Sequence, residues 1–261
     1  MRSRHCLRLL IGALALGFLV VLQPAWCLAG GLQVNAGYDL FTTDASQTSF
    51  PGLGDLMGVP LSTYNFGSGS VLVGNTDTII KRNSNVSVAA VGDTGTTSLS
   101  VFALQLETVN KVNFANNGLA DYFVTLQSIH GGPASTGSMD ITFNTATSGT
   151  FKSSLDLFFD IRMGSLTGKI VDSLNLTLTN SGADWSNMAP AGSVLINGIN
   201  NNLNGKDITN DFWPNTITEK HPTGGQHVVD PASVPEPNGL AMALAAILMG
   251  LACRRRRARR T

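Results

Sequence analysis

Three observations predict an all-β fold, an antiparallel β-sandwich or jelly-roll-like domain. The first is strict alternation in three windows. Met139, Ile141 and Phe143 alternate with Asp140, Thr142 and Asn144. Phe151, Ser153, Leu155, Leu157, Phe159, Ile161 and Met163 share one parity while Lys152, Asp156, Asp160 and Arg162 hold the other, with Phe158 the exception. Leu174, Leu176 and Leu178 alternate with Asn175, Thr177 and Thr179. A period of two puts one set of side chains on a core and the other in water, as half-buried antiparallel strands require. The second observation is turn chemistry between the windows, in GDTG at 92–95, HGGPASTG at 130–137 and TSG at 147–149. The third is that no segment between the two ends carries a helical period, which leaves many short strands joined by Gly, Asn and Ser turns.

Taken in order, the chain opens with MRSRHCLRLLIGALALGFLVVLQPAWCLAG, with arginines at 2, 4 and 8 and an apolar run from Leu9 to Leu22. This is the pattern of a secretory signal peptide, assigned to residues 1–29. Cleavage fits after Ala29, with Cys27 at −3, or after Cys27, with Ala25 at −3. The β-domain is assigned to 30–220. It begins with shorter strand windows at Val71 to Val73, Asn85 to Val91, Leu99 to Glu107 and Tyr122 to Ile129. Within Leu99 to Glu107 the apolar parity switches, from Leu99 and Val101 to Phe102, Leu104 and Leu106, which predicts a bulge. After the three alternating windows a last short one covers Val194 to Ile196. Beyond residue 180 the composition turns rich in Asn, Gly and Pro, either a loop-rich end of the domain or a stalk; Trp185, Phe212 and Trp213 argue for order there. Residues 221–233 read as a linker, and 234–261 as a separate tail.

Charge and cysteine bound the function. Three of the 17 basic residues precede residue 30 and six follow residue 253, so the part between holds eight against 17 acids, a net charge of about −9. Such a surface repels nucleic acid and anionic lipid, and nucleic-acid binding is excluded. The three cysteines are Cys6, Cys27 and Cys253, so the β-domain has neither disulfides nor thiol chemistry. At roughly 205 residues it buries enough apolar surface without staples.

Candidate chemistry is sparse, and no catalytic residue is assigned. HGGP at His130 to Pro133 matches the oxyanion loop of esterases, but no G-x-S-x-G elbow accompanies it, so a Gly-rich turn is expected. His221 and His227, with Asp230 beyond, flank Pro222, Gly224 and Gly225, a poor frame for zinc. Asn200, Asn202, Asn204 and Gly205 occupy positions 1, 3, 5 and 6 of an EF-hand-like series with Asp211 at position 12, and Asp207 adds a charge; this is the candidate Ca2+ site. Neutral amides in place of carboxylates make it weak. Asp156 and Asp160 stand on the expected outer face of one strand, and nothing pairs them as a glycosidase needs. Trp185 and Trp213, with Tyr122, are the candidate platforms for stacking on sugar rings.

The tail is VPEPNGLAMALAAILMGLACRRRRARRT. Val234, Pro235, Glu236 and Pro237 form a box; Gly239 to Cys253 is an apolar run of 15 residues; Arg254, Arg255, Arg256 and Arg257, with Arg259 and Arg260, form a cluster. As a helix the run spans about 22 Å, short of the roughly 30 Å hydrocarbon core, which suits a short transmembrane anchor held briefly. The arginines stop transfer and hold the end in the cytoplasm, leaving the acidic domain outside the inner membrane. The two prolines keep the box extended and short of amide donors.

Box, apolar run and arginines in this order resemble the PEP-CTERM sorting signal of bacterial exported proteins. The resemblance covers about a tenth of the chain. It implies that a membrane enzyme, exosortase, recognises the tail, cuts near the box and passes the protein to the cell surface or matrix, in bacteria that make exopolysaccharide and biofilm. The expected function is an exported surface or matrix protein of structural or adhesive role, without enzymatic activity. The alternative is a carbohydrate-binding or carbohydrate-active module acting on exopolysaccharide.

Overall fold

In the computed structural model, which describes residues 31–196 and 208–233, the alternating windows become the wall of a barrel. No α-helix occurs among the described residues. The strands of the first half are β1 (Leu32–Val34), β2 (Gly37–Thr43), β3 (Ser49–Phe50), β4 (Gly54–Gly58), β5 (Ser62–Asn65), β6 (Ser70–Gly74), β7 (Thr78–Arg82), β8 (Val86–Val88) and β9 (Thr94–Thr108). Then come β10 (Val112–Asn113), β11 (Leu119–Ala120), β12 (Tyr122–Leu126), β13 (Thr136–Phe143), β14 (Ser148–Met163) and β15 (Lys169–Ser186). The last are β16 (Trp213–Pro214), β17 (Ile217–Lys220) and β18 (Gln226–Pro231).

Hydrogen bonding closes the sheet on itself. β9 pairs with β13 near its start and with β12 near its end, and both of these pair with β14, so β12 and β13 are two halves of one stave. In the same way β2 and β3 share β18, while β7 and β4 share β9. The ring then runs β9, β13/β12, β14, β15, β17, β18, β2/β3, β7/β4 and back to β9, eight antiparallel staves. All-β and antiparallel are as expected; the closure is not a sandwich of two open sheets. Both architectures use the same alternation, and only the pairing of distant strands separates them. Eight staves leave an interior that side chains just fill.

That filling is what the alternation supplies. Leu155, Leu157, Phe159 and Ile161 of β14 are all buried, and they meet Leu99, Val101, Leu104 and Leu106 of β9 and Met139, Ile141 and Phe143 of β13. Each such side chain contributes about 1.5–3 kcal/mol by leaving water. The parity switch in β9 is a bulge: Ile79 opposes Ala103 and Ile80 opposes Val101, so Phe102 is the extra residue and is turned outward, 40% exposed. A second apolar cluster lies apart from this core, with Tyr38, Leu40, Val73, Ile79, Ala103, Val194, Ile196, Trp213 and Ala232, and with Leu61, Tyr64 and Phe66 of the β5–β6 region packed on it. Val194 to Ile196 forms no strand; Val194 and Ile196 join that cluster while Leu195 is exposed.

Two regions depart from expectation. Residues 221–233, read as a linker, contain β18, a barrel stave paired on both sides and burying His227, Val228 and Val229. The glycines that suggested a linker instead make the β17–β18 turn, where Gly225 adopts φ +83° and a Cβ would lie 2.6 Å from the Ser49 carbonyl oxygen. The other region is the wall beyond β17. Among the described residues β15 meets β17 only at Thr179 opposite Lys220, and from Lys169 to Leu178 it is paired there with β14 alone.

Candidate functional site

Polar residues occupy inward positions where the barrel would otherwise take hydrophobes. On β17, Ile217 and Glu219 are buried while Thr218 and Lys220 are exposed, so Glu219 points inward by simple alternation. His227 lies directly across the ladder from it. His227 Nδ1 is 3.2 Å from Glu219 Oε2, and its Nε2 is 3.3 Å from the Thr43 hydroxyl on β2. Thr43 donates its hydroxyl proton to Asp77 Oδ1 at 2.9 Å and its backbone N–H to Asp77 Oδ2 at 2.7 Å, and Thr78 donates to Oδ1 at 2.7 Å. Gly58 makes room for Asp77: a Cβ there would stand 1.7 Å from Oδ2.

The electrostatics follow from burial. Desolvation pushes the Asp77 carboxyl up, against the hydrogen bonds from Thr43 and Thr78 and the nearby His227. His227 thus bridges the Thr43 hydroxyl through Nε2 and Glu219 through Nδ1, the donor in each contact being set by the imidazole's tautomer. Hydroxyl, imidazole and carboxylate in this order form the arrangement of nucleophilic catalysis. Here Thr43, His227 and Glu219 are 6%, 6% and 4% exposed, and the hydroxyl is turned to a carboxylate. A sealed, mutually satisfied network ties β2, β17 and β18 together and fixes the barrel's closing seam.

Beside it lies a cavity of about 30 Å³ in the barrel interior. Its walls include Leu56, Leu104, Leu106, Val124, Leu157 and Leu178, and Phe50, His221 and His227 also line it. His221 sits at the β17–β18 turn with its ring edge-on to Phe50, centroids 5.4 Å apart. Both of its ring nitrogens are shielded from water and have no hydrogen-bond partner. Burial pushes this imidazole down, His227 adds to the shift, and Glu219 opposes it.

Two further polar clusters are structural. Arg82 is wholly buried, paired with Asp39 and lying 4.5 Å over the Phe212 ring; burial pushes Asp39 up to about 6 despite Arg82. On the outer face Asp160 takes hydrogen bonds from Ser173 at 2.7 Å and Arg162 at 3.3 Å and is paired with His130. Asp156 is exposed as expected, whereas Asp160 is covered by these partners. HGGP is a turn: His130 ends a 3-10 segment and Gly131 follows at φ +89°.

The residues singled out from the sequence fall as follows. Trp185 is 2% exposed, donates to the Thr142 carbonyl at 3.3 Å and stacks on Phe212. Trp213 is 6% exposed in the second cluster, and Tyr122 is fully buried with its hydroxyl on the Gly118 carbonyl. Neither indole offers a free face for a sugar, because the barrel needs both as packing. Asp211 is buried and accepts the Ile208 N–H at 2.8 Å, holding a turn. Asn200, Asn202 and Asn204, and the tail residues Val234, Pro235, Glu236, Pro237 and Arg254 to Arg257, lie outside the described residues. Among the described residues no group of three or more His, Cys, Asp or Glu is placed to hold a metal ion. The sequence reading missed Glu219, Thr43 and Asp77; the alternation of Ile217 with Glu219 was their one visible signal. Compared with known proteins, the chain matches no family model, no curated protein and no solved structure.

Proposed function

We propose that this chain is an exported protein of the cell surface or extracellular matrix with a structural or adhesive role, sorted through its tail by an exosortase. One observation carries the reading: the barrel is complete just before the box. β18 ends at Pro231, Ser233 donates its N–H to Asn75 at 2.8 Å and bridges Ser193, and Val234 is the next residue. A cut at or beyond the box removes none of the described strands. The three parts of the tail have separable jobs, namely recognition by the box, transient residence by the apolar run and orientation by the arginines. Replacing Pro235 and Pro237 by Ala leaves insertion intact and blocks processing, so uncut protein accumulates in the inner membrane. Neutralising Arg254 to Arg257 weakens stop-transfer, since each Arg at the bilayer centre resists passage by about 2.5–3.5 kcal/mol. Immunoblots of fractionated cells read both. Processed protein in the medium from the Pro-to-Ala variant sinks the sorting reading.

A second reading, a carbohydrate-binding module, draws on the outer face of the wall. Thr94, Thr96 and Ser98 of β9 oppose Thr142, Asp140 and Ser138 of β13, a grid of hydroxyls and a carboxylate facing water. Co-sedimentation with purified polysaccharide separates this reading from a purely structural role.

A further inference from the structure

We infer that the face of the barrel around Ser233 rests on a lipid bilayer while the tail is inserted, with Leu72, Met188 and Leu195 entering the bilayer surface. The inference rests on the reading of the tail as a membrane anchor. Three observations meet at this face. The first is which segments gather there. Ser233 donates its N–H to Asn75 Oδ1 at 2.8 Å, one residue past the end of β6, and Ala232 accepts the Val194 N–H at 3.2 Å. Pro190 and Ala191 border a cleft with Pro231, Ala232 and Ser233. The end of β6 and the segment 188–196 therefore flank the residue that the tail follows.

The second observation is what these segments expose. Val71 and Val73 pack on the second apolar cluster, which turns Leu72 between them away from it, and Leu195 stands likewise between the packed Val194 and Ile196. Leu72 is 77% exposed, Met188 71% and Leu195 41%. The third is charge. The part of the chain between its two ends carries about −9, yet no charged residue occurs from Leu56 to Thr76 or from Trp185 to Ile196. Asp230 on β18 accepts a hydrogen bond from the Thr216 hydroxyl. Apolar side chains clustered in the open mark an interaction surface, and an acidic domain approaches anionic lipid by an uncharged face.

Chain length selects the bilayer as the occupant. Five residues, Val234 to Asn238, separate Ser233 from the apolar run, at most about 20 Å of extended chain. With the run in hydrocarbon, this face is held near the membrane at an effective concentration on the order of millimolar, so a weak contact suffices. Contact fixes the barrel's orientation, and with it the height of the box above the membrane.

The test uses the full chain in vesicles of phosphatidylcholine with phosphatidylglycerol as the minor lipid, with and without brominated acyl chains. Protection of Arg254 to Arg260 from added trypsin reports that the tail has inserted. A single added tryptophan, read against the parent chain, is the probe of contact. Leu72→Trp and Leu195→Trp enter the interface by about 5–10 Å and lose most of their added fluorescence to bromine. Ile129→Trp, exposed but between β12 and β13 and so across the ring from β18, keeps its fluorescence. Leu72→Asp combined with Leu195→Asp, both at exposed positions, leaves the melting temperature unchanged and abolishes the quenching of Met188→Trp. An inserted chain in which Leu72→Trp and Leu195→Trp are quenched no more than Ile129→Trp overturns the inference and leaves the anchor reading standing. Persistent quenching of Met188→Trp in the double variant overturns it too. A tail that does not insert overturns both readings.

Discussion

His221 and Asp39 tilt the pH dependence of stability in opposite directions. An unfolded histidine titrates near 6.5, and burial holds His221 below that, so in this window the unfolded chain binds more protons. The stability it supports is complete above about pH 6.5 and is lost as pH falls through the folded value. Asp39 is raised from 3.8 to about 6 and Asp77 is raised as well, so there the folded chain binds more protons. The favourable share of Asp39 is complete below about pH 4 and is lost as pH rises towards about 6, and that of Asp77 is lost likewise as pH rises through its own raised value. Replacing His221 by Phe removes only the first effect, so the melting temperature of that variant declines less between pH 6.5 and 5 than that of wild type. Parallel profiles for the two proteins reject this assignment. Asp39 was hard to read from sequence, because a polar residue facing inward on a strand breaks the pattern that reveals the strand; His221 stood out as a residue, but its burial at the β17–β18 turn did not.

β14 is the element most legible in the sequence and the one whose failure matters most. It pairs with β12, β13 and β15, and Leu157 projects from it into the core. Leu157→Asp buries an unpaired charge and unfolds the barrel, whereas Asp156→Asn changes an exposed acceptor of the Thr177 hydroxyl and shifts stability by less than about 0.5 kcal/mol. Far-UV circular dichroism during urea unfolding measures both; a folded Leu157→Asp protein contradicts the inward placement. The contrast with β2 shows what alternation needs. In Gly37–Thr43 nearly every residue is buried, since its outward side chains Tyr38 and Leu40 join the second apolar cluster. A strand covered on both faces shows no period of two. β18 was hidden differently: Pro222, Gly224 and Gly225 signal a turn and a linker equally well, and only the pairing of the flanking strands decides. The indoles misled for a related reason, because sequence reveals an aromatic ring but not which side of the wall it occupies.

At the scale of the molecule, the seam at β18 joins distant parts of the chain. Pro231 pairs with Phe41, and Val229 with Thr43. A chain ended after Ser233 therefore keeps the full ring, and its melting temperature stays within about 2 °C of the full chain's. One ended after His221 lacks β18, loses the Glu219–His227–Thr43 network and does not fold cooperatively. Thermal denaturation of the two truncations checks this, and a cooperative transition in the shorter one refutes the role given to the seam.

That seam also sets an order in time. Residues near 41 wait for residues near 231 before their stave has both neighbours, a loop of almost the whole barrel that must close by chance encounter. Until then β2 lacks β18, and β17 has no partner on its far side. Unfinished copies present bare strand edges to one another, the state in which β-proteins most readily aggregate. For this chain the hazardous interval is the delay before β18 arrives, and crowding of nascent copies is a stress that its architecture leaves unguarded.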